Sequence, residues 1–246
     1  TAFIGSTPSI CHHNGEHIII NRRFVNYKID KNGNYENREK IITKNVFACY
    51  DHNLQKKDTR VLNYNTEHNG YYEGLEDIRL LSHKGRLLYN ANRSVASNMV
   101  IEHGEIVANG TTCECLLKKE NQNPIEKNWV LFSDANENLK CIYKWHPLTI
   151  GSLDDGRFVN IQSISSPLSF RDIRGSSNGV LIDNELWFLT HLVSYEHRRH
   201  YYHMMVVIDP DTYNIKRYTP LFTFTGKMVE YSLGFVTIGD TILIGY

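Results

Sequence analysis

The chain has 246 residues, long enough for one sizeable core, and its 41% hydrophobic, 11% aromatic and 22% charged residues exclude a disordered polypeptide. Lysines plus arginines equal aspartates plus glutamates at 27 each, so no net field exists to hold a polyanion by counterion release, and nucleic acid is not expected as a partner. No run approaches a membrane-spanning length of about 18 apolar residues, and residues 1–9 lack the basic-then-apolar signature of a secretion signal. A soluble, cytoplasmic chain without membrane contact is expected.

The apolar segments are short, rich in Ile, Val, Tyr and Phe, and bounded by Gly, Asn and Asp, which is the pattern of strands. In chain order, TPSICHH meets HIII at Asn14-Gly15, GLEDIRLLS meets RLLYNA at Lys84-Gly85, and EKNWVLFSD meets LKCIYKW at Asn136-Glu137-Asn138. SSNGVLID then meets ELWFLTH at Asp183-Asn184, and EYSLGFVTI meets TILIGY at Gly239-Asp240. The markers Gly15, Gly85, Glu137, Asn184 and Gly239 are 70, 52, 47 and 55 residues apart. These steps are close to the blade repeat of β-propellers, about 40–50 residues. The expectation is an all-β, five-bladed β-propeller, with residues 1–246 forming one domain trimmed from a longer chain.

Cysteines Cys11, Cys49, Cys113, Cys115 and Cys141 are odd in number and irregular in spacing, which fits reduced, packing thiols rather than a disulfide framework. Cys113-Glu114-Cys115 lacks the two-residue spacing of a zinc knuckle. The run from His197 to His203 reads as a hairpin entering the strand YYHMMVVID, not as a metal site, so no metal is expected.

In a hairpin, the start of the first strand and the end of the second lie together. Those ends are unusually polar. Entering strands bring Ser6, Thr7 and Ser9, then Glu76, Asp77 and Arg79, then Lys127 and Asn128, then Ser176, Ser177 and Asn178, and finally Glu230; leaving strands bring Arg23, Asn26, Asn90, Asn92, Trp145, His146 and His191. Converging on one mouth of the channel, they make a funnel suited to a polyhydroxylated ligand such as a sugar. Of the adjacent Arg22 and Arg23, only one can face the channel, and Arg23 with Asn26 is the choice. Strict alternation sets Asp77 and Arg79 on one face and Glu76 on the other. Asp77 and Arg79 also fit a buried ion pair closing the inner ring, and Trp145 fits either a sugar platform or a filler between blades.

Gly74-Leu75-Glu76-Asp77-Ile78-Arg79 resembles the G-x-E-D-P-R motif of glycoside hydrolase family 130, the β-mannoside phosphorylases and their hydrolase relatives. Glu126-Lys127-Asn128 resembles the family's D-K-N segment, and Tyr143-Lys144-Trp145-His146-Pro147 stands where a segment ending Arg-Pro is found. Gly175-Ser176-Ser177, the strand ending at His191, Glu230-Tyr231-Ser232-Leu233-Gly234 and Ile244-Gly245-Tyr246 follow in the family's order. The resemblance spans residues 8–246. It differs at Ile78 for Pro and His146 for Arg, and the chain stops before an expected sugar-binding Asp.

The resemblance implies a five-bladed propeller that makes or breaks β-mannoside-like bonds with inversion. Phosphorylase, hydrolase and mannosyltransferase remain open. It implies Asp77 as the acid, working through a substrate hydroxyl, with Arg23, Asn26, Glu76, Arg79, Asn92, Lys127, Asn128, Trp145, His146, Ser176, Ser177, His191 and Glu230 around the substrate. A mannose-containing oligosaccharide or sugar donor is the expected partner; no cofactor is expected, and inorganic phosphate or a sugar nucleotide would be co-substrate. The alternatives are a carbohydrate-binding propeller without catalysis and a protein-interaction propeller that uses its outer rim.

Overall fold

The computed structural model describes residues 2–15, 17–36, 39–67, 70–120, 122–195 and 199–246. Turn chemistry sets the strand pairing. Lys84 and Gly85, and Asp183 and Asn184, have positive φ, the conformation of two-residue turns whose twist matches that of the flanking strands, and Asn14 and Gly15 have positive φ in the turn between His13 and His17. Each turn joins two strands that pair residue against residue.

The first sheet is β1 (Ile4–His13), β2 (His17–Val25), β3 (Ile41–Tyr50) and β4 (Lys56–Val61), ordered as in the chain, with the short β5 (Tyr72–Glu73) parallel to β3. The second is β6 (Leu75–His83), β7 (Arg86–Val95), β8 (Asn98–Ile106) and β9 (Thr112–Leu116). After β10 (Lys118–Lys119) comes the third, β11 (Val130–Ser133), β12 (Leu139–Trp145), β13 (Leu148–Asp154) and β14 (Arg157–Ile164), with β10 parallel to β14. The 3-10 turn Leu168–Phe170 leads into the fourth: β15 (Arg174–Gly175), β16 (Val180–Ile182), β17 (Glu185–Ser194), β18 (His200–Ile208) and β19 (Ile215–Tyr218). Last comes the two-stranded sheet of β20 (Gly234–Ile238) and β21 (Thr241–Gly245).

The all-β propeller expectation therefore holds, but the blade number is corrected: four blades are complete, not five. Inner hairpins alone suggested five, since the sequence pattern marks hairpins rather than whole blades. The hairpin β20–β21 stands without outer strands and is held from both sides. Val236 packs with Ile10 and Ile18 of the first blade, while Phe235 packs with Leu189 and Met205 of the fourth. Among the described residues no helix is long and apolar enough to cross a membrane.

Apolar clusters between neighbouring blades form the core. Phe132, Ile142 and Trp145 of the third blade meet Phe188, Met204 and Val206 of the fourth, and Trp145 packs edge-on to Phe188 at 5.5 Å. Each such buried side chain contributes about 1.5–3 kcal/mol. Buried amides stitch the inner strands together. Asn45 Nδ2 donates to the Leu75 carbonyl, Asn90 Nδ2 to the Trp129 carbonyl and Asn178 Nδ2 to the Leu80 carbonyl, while Asn178 Oδ1 accepts from the Leu131 amide. At the far end of the channel, His13 bonds Ser82 and His83 bonds Ser133.

Two glycines permit close approach beside the polar mouth. At Gly74, φ is +92° and an added Cβ would lie 2.2 Å from the Thr43 carbonyl oxygen. At Gly175 it would lie 2.4 Å from Val130 Cγ1, so the third and fourth blades could not close.

Candidate functional site

Where β6 begins, its pairing with β7 shifts by one: Glu76 faces Asn92, but Arg79 faces Asn90. Asp77 lies in this bulge with φ +53°, a left-handed conformation that Asp tolerates better than most residues. The bulge overturns the expected alternation. Glu76 and Asp77 both reach Arg23, with Arg23 Nη2 2.9 Å from Glu76 Oε1 and Nη1 2.9 Å from Asp77 Oδ1. Asn92 Nδ2 donates to Asp77 Oδ2 at 3.2 Å from behind.

Arg79 turns the other way and is fully buried. It forms no ion pair with Asp77 among the described residues. Its Nε donates to the Ser176 carbonyl at 2.8 Å and its Nη1 to the Asp77 carbonyl at 2.9 Å. Its Nη2 serves Asn128 Oδ1 at 3.1 Å, the Gly175 carbonyl at 3.1 Å and Tyr231 Oη at 3.0 Å. Arg79 is thus a floor beneath the site that joins three blades and the segment before β20.

Above that floor is a cavity of about 220 Å³ lined by Arg23, Glu76, Asp77, Lys127, Asn128 and His191, all expected from the sequence. Tyr27, Tyr35, Arg174, Arg199, Tyr201 and Tyr231 complete much of the wall. A second cavity of about 460 Å³ shares Lys127, Asn128 and Arg174 with the first and adds Trp145, His146 and Arg171. His146 is half-buried, with Nδ1 3.0 Å from Ser166 Oγ. Trp145 is buried and fills the gap between the third and fourth blades while touching this second cavity.

Charge is arranged unevenly. Burial lowers the Lys127 pKa, but the Glu76 carboxylate, 3.5 Å away, and that of Asp77 more than offset this, so the ammonium is held charged. Burial, then the cations Arg79 and Arg174, push His191 well below the usual imidazole value, so it is neutral. Its Nδ1 meets Ser176 Oγ at 2.8 Å, and its ring packs against Tyr201 at 5.8 Å and Tyr231 at 4.9 Å. Arg199 lies over the rings of Tyr35 at 5.1 Å and Tyr201 at 5.8 Å, linking the loop after β2 to the start of β18. Burial pushes the Tyr201 phenol up to about 12.

Three expected site residues turn away from the cavity. Asn26 spans the base of the loop between β2 and β3, donating to the Lys40 carbonyl and accepting from the Ile42 amide, both at 2.8 Å. Ser177 Oγ accepts from the Leu189 amide at 2.8 Å and serves the strand pairing of the fourth blade. Glu230 accepts from the amides of Phe224, Thr225 and Lys227 at 2.7, 2.8 and 2.9 Å and from the Thr225 hydroxyl. Four nearby donors outcompete a distant ligand. Its neighbours Val229 and Tyr231 line the cavity in its place.

Burial raises the Glu230 pKa, but those donors more than offset it and hold the carboxyl down at about 2. A depressed folded-state pKa stabilises above the ordinary value of 4.5, and that stability is lost as pH falls toward about 2. Glu230→Gln is therefore expected to flatten the acid limb of urea stability over this interval. An unchanged acid limb would contradict the assignment.

No site role is expected from the sequence for Tyr27, Tyr35, Arg174, Arg199, Tyr201 or Tyr231. The early residues of the strand YYHMMVVID are expected near the rim, and because β17 ends at the mouth β18 begins there, bringing Arg199 and Tyr201 to the cavity. His197 and Arg198 of the histidine-rich run lie outside the described residues.

The fold has solved counterparts. A β-1,2-mannobiose phosphorylase from Listeria innocua in complex with β-1,2-mannobiose superimposes with TM-score 0.66 at 13% identity, over 98% of this chain and 86% of that one. A GDP-Man-dependent mannosyltransferase from Leishmania mexicana gives 0.58 at 14% identity, over 99% and 81%. A mannose phosphorylase from the same organism, in complex with phosphate, gives 0.57 at 13% identity, over 99% and 80%. No protein-family model and no curated protein matches the sequence.

Proposed function

We propose that this protein transfers a mannosyl-like sugar with inversion at the anomeric carbon, using an anionic co-substrate rather than water as its second reactant. The observation that carries this reading is the composition of the cavity. Its only two carboxylates among the described lining residues, Glu76 and Asp77, are adjacent and both hold Arg23, while Lys127, Arg174 and Arg199 supply positive charge.

Inverting hydrolysis needs two separated carboxyl groups, about 6.5–9.5 Å apart, one of them activating a water. Glu76 is engaged by Arg23 and Lys127, which leaves no free base for that water. An anionic nucleophile needs no base, and an anionic leaving group needs no acid; either is held by the cations. In the phosphorolytic direction, Asp77 gives its proton to a sugar hydroxyl, which passes its own to the leaving oxygen. The glycosidic C–O bond breaks as a phosphate oxygen bonds to the opposite face of the anomeric carbon.

Support also comes from the counterparts, which are a β-1,2-mannobiose phosphorylase, a mannose phosphorylase and a GDP-Man-dependent mannosyltransferase. With β-mannobiose, turnover is expected only when phosphate is added, or else GDP-mannose is consumed in the presence of a mannoside acceptor. Hydrolysis without phosphate would overturn the reading. Saturable sugar binding without any turnover would favour the non-catalytic alternative.

A further inference from the structure

The two cavities at the mouth do not end at the channel. The second shares Tyr143 and Lys144 with a third, of about 880 Å³, that extends over the third blade and is lined from β10, β12, β13 and β14. Together the three form a continuous track leading away from Asp77.

That track carries an excess of positive charge in a chain whose total charge is zero. The second and third cavities are lined by Lys118, Lys119, Lys144, Arg157, Arg171 and Arg174, in addition to Lys127. None of these six is in an ion pair among the described residues. Against them the lining has two carboxylates, Glu120 and Glu126. Glu126 is already committed, accepting from the Asn123 amide at 2.9 Å and from Trp129 Nε1 at 3.2 Å.

Tyr143 organises the middle of the track. Its ring packs on Trp129 at 5.2 Å and on Phe158 at 5.4 Å, and its hydroxyl accepts from Asn123 Nδ2 at 3.2 Å, so the side chain is fixed. Two ammonium groups lie over it, Lys119 Nζ at 4.8 Å and Lys144 Nζ at 5.5 Å from the ring centroid. Lysines held this way keep their charge in the groove instead of sweeping through solvent. Unpaired cations around a fixed aromatic ring, continuous with a sugar cavity, are complementary to a sugar chain bearing negative groups.

Resting on the proposed glycosyl transfer, we propose that the track along the third blade binds an anionic oligosaccharide, one carrying phosphomonoester or carboxylate groups, whose reacting end lies in the first cavity. Neutral mannosides would occupy only the cavity; charged ones would also use the track.

The test compares a manno-oligosaccharide bearing a distal phosphomonoester with its phosphatase-treated counterpart, in kinetics and in equilibrium binding, at low and high salt. The phosphorylated chain is expected to have a lower KM and Kd, by about three- to tenfold for two exposed charge contacts, and salt should erase the difference. The double variant K119Q/R157Q should lose this advantage while leaving kcat and KM for the neutral chain unchanged. Equal affinity for both chains, or an advantage that survives in the double variant, would overturn the inference. So would GDP binding that disappears in the same variant, because the track would then hold a nucleotide. If the neutral chain is not turned over at all, the proposed activity fails, while the binding comparison still decides the track.

Discussion

Asp77→Asn is expected to lower kcat about a thousandfold while leaving the fold and the sugar KM nearly unchanged. The size follows from losing a positioned proton donor, which contributes about 10²–10⁴ in rate. Retention of the fold follows from local geometry. Asn is among the few residues that accept the left-handed φ of +53° at this bulge, so the backbone is not strained further. Arg23 Nη1 can still donate to the new side-chain oxygen. The new amide nitrogen would face the Asn92 Nδ2 donor, but Asn92 Oδ1 is buried without a hydrogen-bond partner among the described residues, and a flip of that amide lets it accept from the new nitrogen. Thermal unfolding should confirm the intact fold, and steady-state kinetics in the phosphorolytic direction should report the lost rate. Turnover within a few fold of the parent protein would remove Asp77 from the proton transfer.

Arg79→Met is expected to destabilise the protein by about 3–5 kcal/mol, a loss that comes from the groups left behind. The guanidinium serves the carbonyls of Asp77, Gly175 and Ser176, the Asn128 side chain and the Tyr231 hydroxyl, all at one buried point. Methionine fills much of the volume but donates nothing, and each buried acceptor left without a partner costs about 1–3 kcal/mol, with partial relaxation. Arg79→Lys should recover only part of the loss, since an ammonium cannot reproduce the planar fork. For a chain of this size the Met variant should melt roughly 10 °C lower. Its urea midpoint should fall in parallel, and an unchanged midpoint would show that Arg79 is not the floor described above.

Both variants depend on features with different legibility. Gly74 to Arg79 stands out as a motif, and Glu76 and Asp77 are visible as acids at the start of a strand. That both face the cavity is not visible. The one-residue shift between β6 and β7 is decided by how Asn90 and Asn92 pair across the ladder, and it turns Asp77 to the side that alternation denies it. Arg79 shows the same limit. A charge next to an acid suggests an ion pair, yet carbonyls from another blade claim it instead.

Glu230 fails for the opposite reason. Its position before β20 correctly sets it near the mouth, but donors at residues 224–227 fold back on it, and short-range competition fixes where the carboxylate points. The fifth hairpin likewise has the pattern of a blade. Only the count of strands beyond it shows that the ring is completed by a ribbon packed between the first and fourth blades.

The sequence by itself determined the strands, the turns between them, the all-β propeller class and the polar ends of the inner hairpins, because these depend on residue type and on neighbours a few positions away. The tertiary structure decided which polar groups meet: Arg23 with Glu76 and Asp77, Arg79 with three other segments, Tyr35 with Arg199, and the cations beside Tyr143. Such pairings are set by inter-blade distances of a few ångströms between residues more than 150 positions apart in the chain, as for Arg79 and Tyr231 or Tyr35 and Arg199, and no local pattern encodes those distances.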